Sequence, residues 1–450
     1  MPPHFSFLRY DSEQRIRASG ILGIAILALM MAGCETRQES LTKSRIRKVE
    51  KGLLRAIYLK GQRPEKLGLE ARMQFYRVPG AGIAMMDRNG LEWTRSYGVQ
   101  DAHSREPVTE NTMFQAGELG RPLAVAAALE LVDKGLLDLD GDLKPRLHDP
   151  EPPRAGLGAK AEITLREILT GGTDSALLKT LLEDVTSSPF PTLMNEKVLA
   201  PLGMKDSTFK TPLPDSMKIF AASGHGRDGR PVEGKWADYS APDSLWTTPS
   251  DVLSFASDLL KTAMGKGGKV LSAGQARAML TPQSGNRGFG FIIDGTGIDI
   301  RFHLQGRTRG FTCSLDIYPY KGQGAVIMTN SENGFLLSEE ILRAASAVYE
   351  WPDFEPNERP LFRLDPSIYR QYVGRYEVSA DYVLDVTYED YYLVIRPTGQ
   401  APTRFYVESQ TFFFSVDPYV RIQFLSDEKG RVTGLILWQQ DFKQEAKKVG

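Results

Sequence analysis

The chain has 450 residues, a formal net charge of −1 and a hydrophobic share of 41%, values typical of an ordinary globular protein. Its length exceeds that of one compact domain and predicts two or three domains. Because the sequence has no excess of basic residues, the composition gives no support to nucleic acid as a partner.

Residues 1–33 have the layout of a signal peptide. Arginines precede an apolar run from Ile21 to Met31, which is too short to span a bilayer. The run continues into LMMAGC, which resembles a bacterial lipobox, so Cys34 is expected to carry lipid and to become the first residue of the exported chain. With Glu35 next, the resemblance implies an anchor in the outer membrane, facing the periplasm. An ordinary signal peptide with a chance cysteine is the alternative.

Residues 34–64 are predicted to form a lipidated tether followed by an amphipathic helix. The stretch 35–45 is polar and charged, which suits a tether. Apolar residues then recur at helical spacing among lysines and arginines: Ile46, Val49, Leu53, Leu54 and Ile57. The helix is expected to pack on the next domain, and contact of its basic face with a membrane surface is the alternative.

Strand patterns occur near both ends of the segment 65–351, and helical patterns fill its middle. After Pro79, two apolar runs flank Asn89 and Gly90, a pair that indicates a hairpin with a type I′ turn. Further strand patterns come before a helix predicted at 337–349. Strands from both ends must therefore join one antiparallel sheet with helices packed on it, which predicts an α+β fold.

A short glycine-bounded loop runs into a long apolar helix between Phe114 and Gly135, where the sequence is FQAGELGRPLAVAAALELVDKG. Apolar residues cover most of the helix circumference, so the helix is expected to be buried on nearly all sides. Pro122 suits its first turn, where the missing N–H is not needed. Unpaired N–H groups and the positive end of the helix dipole face the residues ahead, so a site is expected at Gly117 to Arg121.

The composition changes after a proline-bearing linker at 352–366. Residues 367–450 are rich in aromatic residues and contain short strand patterns separated by turns. This spacing predicts a small C-terminal all-β domain, a barrel or a meander. The aromatic residues are expected in its core, with a ligand-binding box as the alternative.

Several pieces of the sequence occur in an order that is informative. They are VPGAGIA at 78–84, F-x-x-G-x-x-x-x-P at 114–122, ITLREILT at 163–170, APLGMKDSTF at 200–209, LWTTPSDV at 245–252 and GAVIMTNS at 324–331. These pieces resemble the serine hydrolases related to class C β-lactamases, penicillin-binding proteins and D-amino-acid peptidases or esterases. The resemblance implies a β-lactamase/transpeptidase-like sheet flanked by helices. YVGRYE at 372–377 and GRVTGL at 430–435 resemble the lipocalin-like domain often appended to these enzymes.

In this family, a Ser-x-x-Lys pair at the head of the buried helix supplies the nucleophile and its base. Alignment without a gap places Glu118 at the serine position and Arg121 at the lysine position. A carboxylate is a poor nucleophile for acyl transfer, and an arginine with a pKa above ~12 cannot act as the base. The two residues are expected to form an i, i+3 ion pair that fills the former cleft. Binding of a charged ligand and a new catalytic use are the alternatives.

Two further family motifs are also altered. The Tyr-x-Asn or Tyr-x-Ser loop is expected to be deleted, because GGTDSA leads directly into the next helix and no tyrosine occurs between Tyr97 and Tyr239. The His-x-Gly or Lys-Thr-Gly element falls on Leu304 and Gly306, so that only the glycine is kept. A one-residue insertion would place His303 at the histidine position instead.

Other motifs in the sequence carry little functional signal. Ser-x-x-Lys also occurs at 40/43, 207/210 and 426/429, never at the start of a buried helix after a glycine loop, and is interpreted as chance. The Gly-rich run GKGGK at 265–269 lacks the strand and the Ser or Thr of a phosphate-binding loop and is interpreted as a surface loop. The histidines show no metal spacing, so neither a metal nor another cofactor is predicted. If Cys34 is acylated, Cys313 has no disulfide partner.

Three altered motifs on an ordered scaffold favour a pseudoenzyme, an exported lipoprotein that acts in ligand or partner binding at the cell envelope. The expected partners are the membrane, through lipid at Cys34, and a peptidoglycan fragment, a small ligand or an envelope protein. The alternative is an active β-lactamase, D-alanyl carboxypeptidase or esterase with altered residues, in which Glu118 acts as a general base.

Overall fold

A computed structural model describes residues 37–148, 162–171, 175–233, 242–439 and 442–449. The predicted signal peptide and Cys34 lie outside these residues. The chain divides into two compact units, Met1–Val49 and Glu50–Gly450. Within the described residues, no helix combines the length and the apolar character needed to cross a membrane.

Helix α1 covers residues 37–50, which corrects the predicted tether and the predicted end of the amphipathic helix. The helix includes residues of the stretch assigned to the tether, where charged residues such as Glu39 and Lys43 form i, i+4 pairs that support a helix. It ends ahead of Gly52, since glycine disfavours helix. Leu53 forms a β-bridge with Leu67, and Ile57 lies in a strand rather than on the helix.

The remaining helices belong to the second unit. They are α2 Leu69–Tyr76, α3 Arg121–Asp133, α4 Leu165–Gly171, α5 Ser175–Thr186, α6 Phe190–Met194, α7 Ala200–Leu202, α8 Asp215–Lys218, α9 Pro249–Ala263, α10 Ala273–Met279, α11 Gly334–Tyr349 and α12 Pro366–Tyr372. A π-helical turn, Asn195–Leu199, joins α6 to α7.

The strands also belong to the second unit. They are β1 Ile57–Leu59, β2 Gly80–Asp87, β3 Gly90–Gly98, β4 Phe114–Gln115, β5 Trp246–Thr247, β6 Ile292–Asp294, β7 Arg301–Thr308, β8 Phe311–Tyr318, β9 Gln323–Thr329, β10 Asn357–Arg359, β11 Gly374–Ser379, β12 Tyr382–Glu389, β13 Tyr392–Pro397, β14 Thr403–Val407, β15 Phe412–Val416, β16 Tyr419–Ser426, β17 Val432–Gln439 and β18 Phe442–Lys448.

The predicted α+β fold is confirmed. Strands from both ends of the segment form one antiparallel sheet in the order β3-β2-β9-β8-β7-β6. Strand β8 is buried along its whole length, because helices pack on both faces of the sheet. The hairpin turn between β2 and β3 is centred on Arg88 and Asn89, with φ of 52° and 60°, one residue earlier than the Asn-Gly pair predicts.

Helix α3 lies at the centre of the main hydrophobic core, as its composition predicts. Its residues from Arg121 to Leu129 are all buried. Alanines along the helix let neighbouring elements approach closely, and helices α5, α6 and α10 pack against it. The helix also shares one hydrophobic cluster with apolar residues of the sheet. A helix held on all sides fixes the position of the turn in front of it.

The predicted C-terminal β-domain is a closed antiparallel barrel formed by β11 to β18, with β11 paired to β18. Helix α12 contributes Tyr369 and Tyr372 to the barrel core. Aromatic residues from the strands fill the rest of the interior, among them Tyr376, Phe413 and Phe424. Stacking and edge contacts between these rings occupy the barrel with side chains, which is the packing expected of a small barrel.

Candidate functional site

The predicted site residues Glu118 and Arg121 lie where a 3-10 turn, Gly117–Gly120, runs into helix α3. Strand β4 leads into this turn and is paired with β5. Gly117 has a φ of +53°, and a Cβ atom there would lie 2.9 Å from the backbone nitrogen and oxygen of Arg307. The turn therefore requires glycine, both for its left-handed backbone and for the close approach of strand β7.

The exposed side chain of Glu118 is bound to strand β7. Its Oε2 accepts a hydrogen bond from the backbone nitrogen of Arg307 at 2.6 Å. A backbone N–H that donates to a carboxylate forms a charge-assisted bond, which is stronger than a bond between neutral groups. Glu118 stands at the position of the family's nucleophile. Its carboxylate thus occupies the backbone N–H of Arg307, which faces that position.

Arg121 is directed into the protein, toward the end of helix α4. It is 5% exposed, and its Nη2 donates to the carbonyl oxygen of Ile168 at 2.6 Å. The carbonyl groups at a helix C-terminus carry partial negative charge, which a guanidinium offsets. The predicted ion pair is therefore wrong: within the described residues Glu118 bonds to the Arg307 N–H, and no salt bridge joins it to Arg121.

A third ionisable residue, Asp243, faces the same turn and was missed by the sequence reasoning. Burial and the negative charge of Glu118 raise the pKa of Asp243 to about 6, and Arg121 opposes that rise. The loop that carries Asp243 is pressed against the turn, since a Cβ atom on Gly120 would overlap the carbonyl oxygen of Pro242. The one sequence signal that could have indicated Asp243 is its position just before the family-like piece at 245–252.

Asp243 belongs to a group of carboxyl groups whose pKa is raised, and these predict a pH dependence of stability. Burial raises the pKa of Asp251 to about 6 and that of Asp316 to about 7, from 3.8. Each of these carboxyl groups binds its proton more tightly in the folded chain than in the unfolded chain. The stability that this proton contributes is fully present below pH 3.8 and is lost as the pH rises through 6 to 7. Burial lowers the pKa values of His225 and His303 from 6.5, so their contribution to stability grows as the pH rises toward and past 6.5 and offsets part of this loss.

We therefore expect the free energy of unfolding to fall by about 1 kcal/mol between pH 5 and pH 7, because the carboxyl groups outweigh the histidines there. Urea titrations at closely spaced pH values would measure this fall. Asp316→Asn, which removes the group with the highest pKa of the set, should reduce the slope. A free energy of unfolding that stays constant or rises across this interval would contradict the expectation.

The third family motif lies on strand β7, beside the turn. Gly306 faces the turn, because a Cβ atom there would overlap the carbonyl oxygen of Ala116. Side chains alternate along a strand, so Leu304 lies on the same face as Gly306 and His303 on the opposite one. His303 Nε2 is 2.7 Å from Oδ2 of Asp294 on β6. The structure thus brings Leu304 and Gly306 to the turn and directs His303 elsewhere.

The predicted deletion of the tyrosine-bearing loop falls on residues 172–174, which lie outside the described residues. Helix α4 ends at Gly171 and α5 begins at Ser175. Neither Ser207/Lys210 nor Ser426/Lys429 belongs to the turn or to helix α3. Ser207, for example, is buried and donates to Asp251 at 2.7 Å. A serine held in this way is part of the structural framework.

The arrangement at the turn has limited chemical capacity. A carboxylate, a permanently charged guanidinium and a half-buried carboxyl provide charge and one group that can titrate near neutral pH. Cys313 lies nearby, but burial raises the pKa of its thiol and it donates to the carbonyl oxygen of Gln115. Such a site can bind charged groups, whereas acyl transfer needs an activated nucleophile.

Comparison with known proteins places the chain among hydrolases and their relatives. A model of the β-lactamase family matches residues 69–170 and 172–348. The chain is 20% identical over 416 residues to penicillin-binding protein 4* of Bacillus subtilis strain 168, a match that covers 78% of this chain and 91% of that protein. A shorter match to esterase EstB of Burkholderia gladioli is 32% identical over 95 residues and covers 21% of this chain and 24% of that protein.

A solved structure shares the fold over most of the chain. The octameric penicillin-binding protein homologue from Pyrococcus abyssi has a TM-score of 0.57 at 16% identity. The match covers 84% of this chain and 99% of that one. At this level of identity the likeness concerns the fold alone.

Proposed function

This chain belongs to the β-lactamase-related family of serine hydrolases, and from that premise we propose that it is a member without hydrolytic activity. It acts in the cell envelope by binding a ligand or a protein partner. One relative is a penicillin-binding protein, which favours a peptidoglycan fragment as the ligand. The fold supplies the binding scaffold, and the residues at the turn supply charge in place of a nucleophile.

The hydrogen bond between Glu118 and the backbone of Arg307 is the observation that carries the proposal. In acyl transfer, a backbone N–H beside the nucleophile stabilises the oxygen that becomes negative in the transition state. Here that N–H is satisfied by a carboxylate, whose negative charge also repels a developing oxyanion. Arg121 cannot act as the base, because a guanidinium stays protonated in proteins and its Nη2 donates to the carbonyl of Ile168.

We expect no covalent adduct when the purified chain reacts with a fluorescent penicillin or a fluorophosphonate, as measured by gel fluorescence and intact-mass spectrometry. Turnover of a chromogenic β-lactam or a p-nitrophenyl ester should lie on the order of 10⁶ below that of a serine hydrolase, the usual cost of losing the nucleophile. The double variant Glu118→Ser with Arg121→Lys should stay inactive, because the tyrosine is missing. A mapped covalent adduct on any residue would sink the proposal.

A second function, hydrolysis with altered residues, is favoured by one observation. Asp243, with a pKa of about 6 beside Glu118, is a carboxyl group able to transfer protons near neutral pH. Such an enzyme would use Glu118 or Asp243 as a general base toward water. Its pH-rate profile would show an inflection near pH 6 that Asp243→Asn abolishes. Measured turnover with this signature would favour the second function over the first.

We propose that the chain reaches the envelope as a lipoprotein acylated at Cys34 and anchored in the outer membrane. The support is the sequence LMMAGC after an apolar run. Expressed in a Gram-negative host, the chain should incorporate labelled palmitate and sediment with outer membranes. Cys34→Ala should lose the label. Equal labelling of the wild-type chain and of Cys34→Ala would contradict the proposal.

A further inference from the structure

A surface groove lies on the side of the protein formed by helix α9 and the start of strand β3, within the second unit. Its volume is about 570 Å³. Three leucines form its apolar part: Leu202 and Leu253 are buried, and Leu91 is 52% exposed. A volume of this size lies within the range of ligand-binding clefts. No residue of the turn at 117–121 contributes to the groove.

The polar part of the groove has an excess of positive charge. Lys261 and Lys269 line it and are exposed. In the part of the chain that the structure describes, no carboxylate forms an ion pair with either lysine. The carboxylate of Asp258, which also lines the groove, accepts a hydrogen bond from the backbone nitrogen of Lys269 at 3.2 Å. The two ammonium groups therefore face solvent beside the leucines, an arrangement that suits a partner with both apolar and anionic groups.

The walls of the groove are held in place before any partner arrives. Ser257 of α9 donates to the carbonyl oxygen of Asn89 at 2.5 Å, which ties the helix to the β2–β3 turn. The Gly-rich loop after α9 is held as well, because a Cβ atom on Gly268 would overlap the hydroxyl of Thr262. A groove that is formed in advance lowers the conformational entropy lost on binding.

Backbone groups are accessible along the groove. Gly90 and Leu91 begin β3, which is an edge strand of the sheet. Gly267 has a φ of +81° and no atom within 4 Å of the place where its Cβ would be. Edge strands and exposed glycines offer N–H and C=O groups to an extended chain. An open groove with these groups fits a peptide better than a compact small molecule, which is usually enclosed by its pocket.

We propose that this groove is a docking site for an extended acidic peptide segment of a protein partner. One apolar side chain of the segment lies between Leu91, Leu202 and Leu253, and flanking carboxylates pair with Lys261 and Lys269. The contact goes beyond the function proposed for the turn at 117–121 and uses none of its residues.

A random twelve-residue peptide library displayed on phage and selected on the purified full chain tests this docking site. Peptides that bind the support without the protein are removed before each round. We expect the selected peptides to carry a Leu, Phe or Ile flanked by Asp or Glu. The double variant should weaken the binding of a synthesised winner at least tenfold, measured by fluorescence anisotropy, and Leu91→Ser should weaken it severalfold.

The matched control carries the same change of charge at exposed lysines elsewhere, Lys66→Glu/Lys429→Glu, and should leave the affinity within twofold. Glu118→Gln should also leave it unchanged, which separates this inference from the function proposed for the turn. The inference is overturned by selected peptides without the acidic and apolar pattern. It is equally overturned by winners that bind the control and the groove variant alike, or by charge-dependent binding to anionic phosphatidylglycerol vesicles with no selected peptide.

Discussion

Replacing Arg72 with methionine is expected to lower the free energy of unfolding by about 3–5 kcal/mol. Arg72 is 4% exposed and lies on helix α2. Its guanidinium donates to both carboxylate oxygens of Glu340 on α11, each at 2.7 Å, and to Asp417 of the barrel at 2.6 Å and 2.9 Å. The side chain thus joins two helices of the hydrolase-like part to the turn between β15 and β16.

The large loss arises from what the substitution leaves behind. Glu340 is 2% exposed, so its carboxylate would remain buried without its cation. Tyr76 Oη also donates to Glu340 and cannot supply the missing charge. Replacing Arg72 together with both carboxylates, as in Arg72→Met/Glu340→Met/Asp417→Asn, should recover at least half of the loss. Arg55, which then loses Asp417, is partly exposed and keeps its pair with Glu65 at 2.9 Å.

Urea titrations followed by tryptophan fluorescence and by far-ultraviolet circular dichroism would measure both variants. Lys179→Met is the matched control, since it breaks an i, i+4 pair with Glu183 on α5 at 3.1 Å, where both side chains are partly exposed. It should cost well under 1 kcal/mol. A loss below 1 kcal/mol for Arg72→Met would show that the network does not hold the barrel to the rest of the chain.

The substitution Gly306→Val is expected to lower the free energy of unfolding by about 3 kcal/mol, because the backbones of the turn and of strand β7 are in contact. A Cβ atom on Gly306 would overlap the carbonyl oxygen of Ala116 and approach Leu119. Neither obstacle can move alone, since Ala116 is held by a hydrogen bond to Leu245 and precedes the buried helix α3. Overpacking of this kind forces backbone shifts rather than a change of rotamer.

Gly68→Val is the matched control for Gly306→Val. Gly68 has a φ of −85°, which any residue adopts, and no atom lies within 4 Å of its would-be Cβ. The control should cost less than 1 kcal/mol by thermal or urea unfolding. Equal losses for the two variants would mean that the contact between β7 and the turn is loose, and that the turn can open to admit a substrate.

The sequence by itself determined the fold class and the position of the helix around which the larger domain is built. Strand patterns at both ends of a helical segment allow few arrangements other than one sheet that contains strands from both ends. A helix that is apolar on all sides must be buried. The short strands rich in aromatic residues after 366 likewise predicted a small all-β domain, a barrel or a meander, and the structure shows the closed barrel. These signals are local and periodic, so they can be recognised without knowing which segments meet.

Only the tertiary structure decided where the charged side chains go. Glu118 and Arg121 are three residues apart and of opposite charge, which predicted an ion pair, yet each bonds to backbone groups of a distant segment. Asp243 joins them although more than a hundred residues separate it from the turn. The partners of a charged side chain depend on which backbone donors and acceptors remain unsatisfied at strand edges and helix ends, and packing of distant elements determines that.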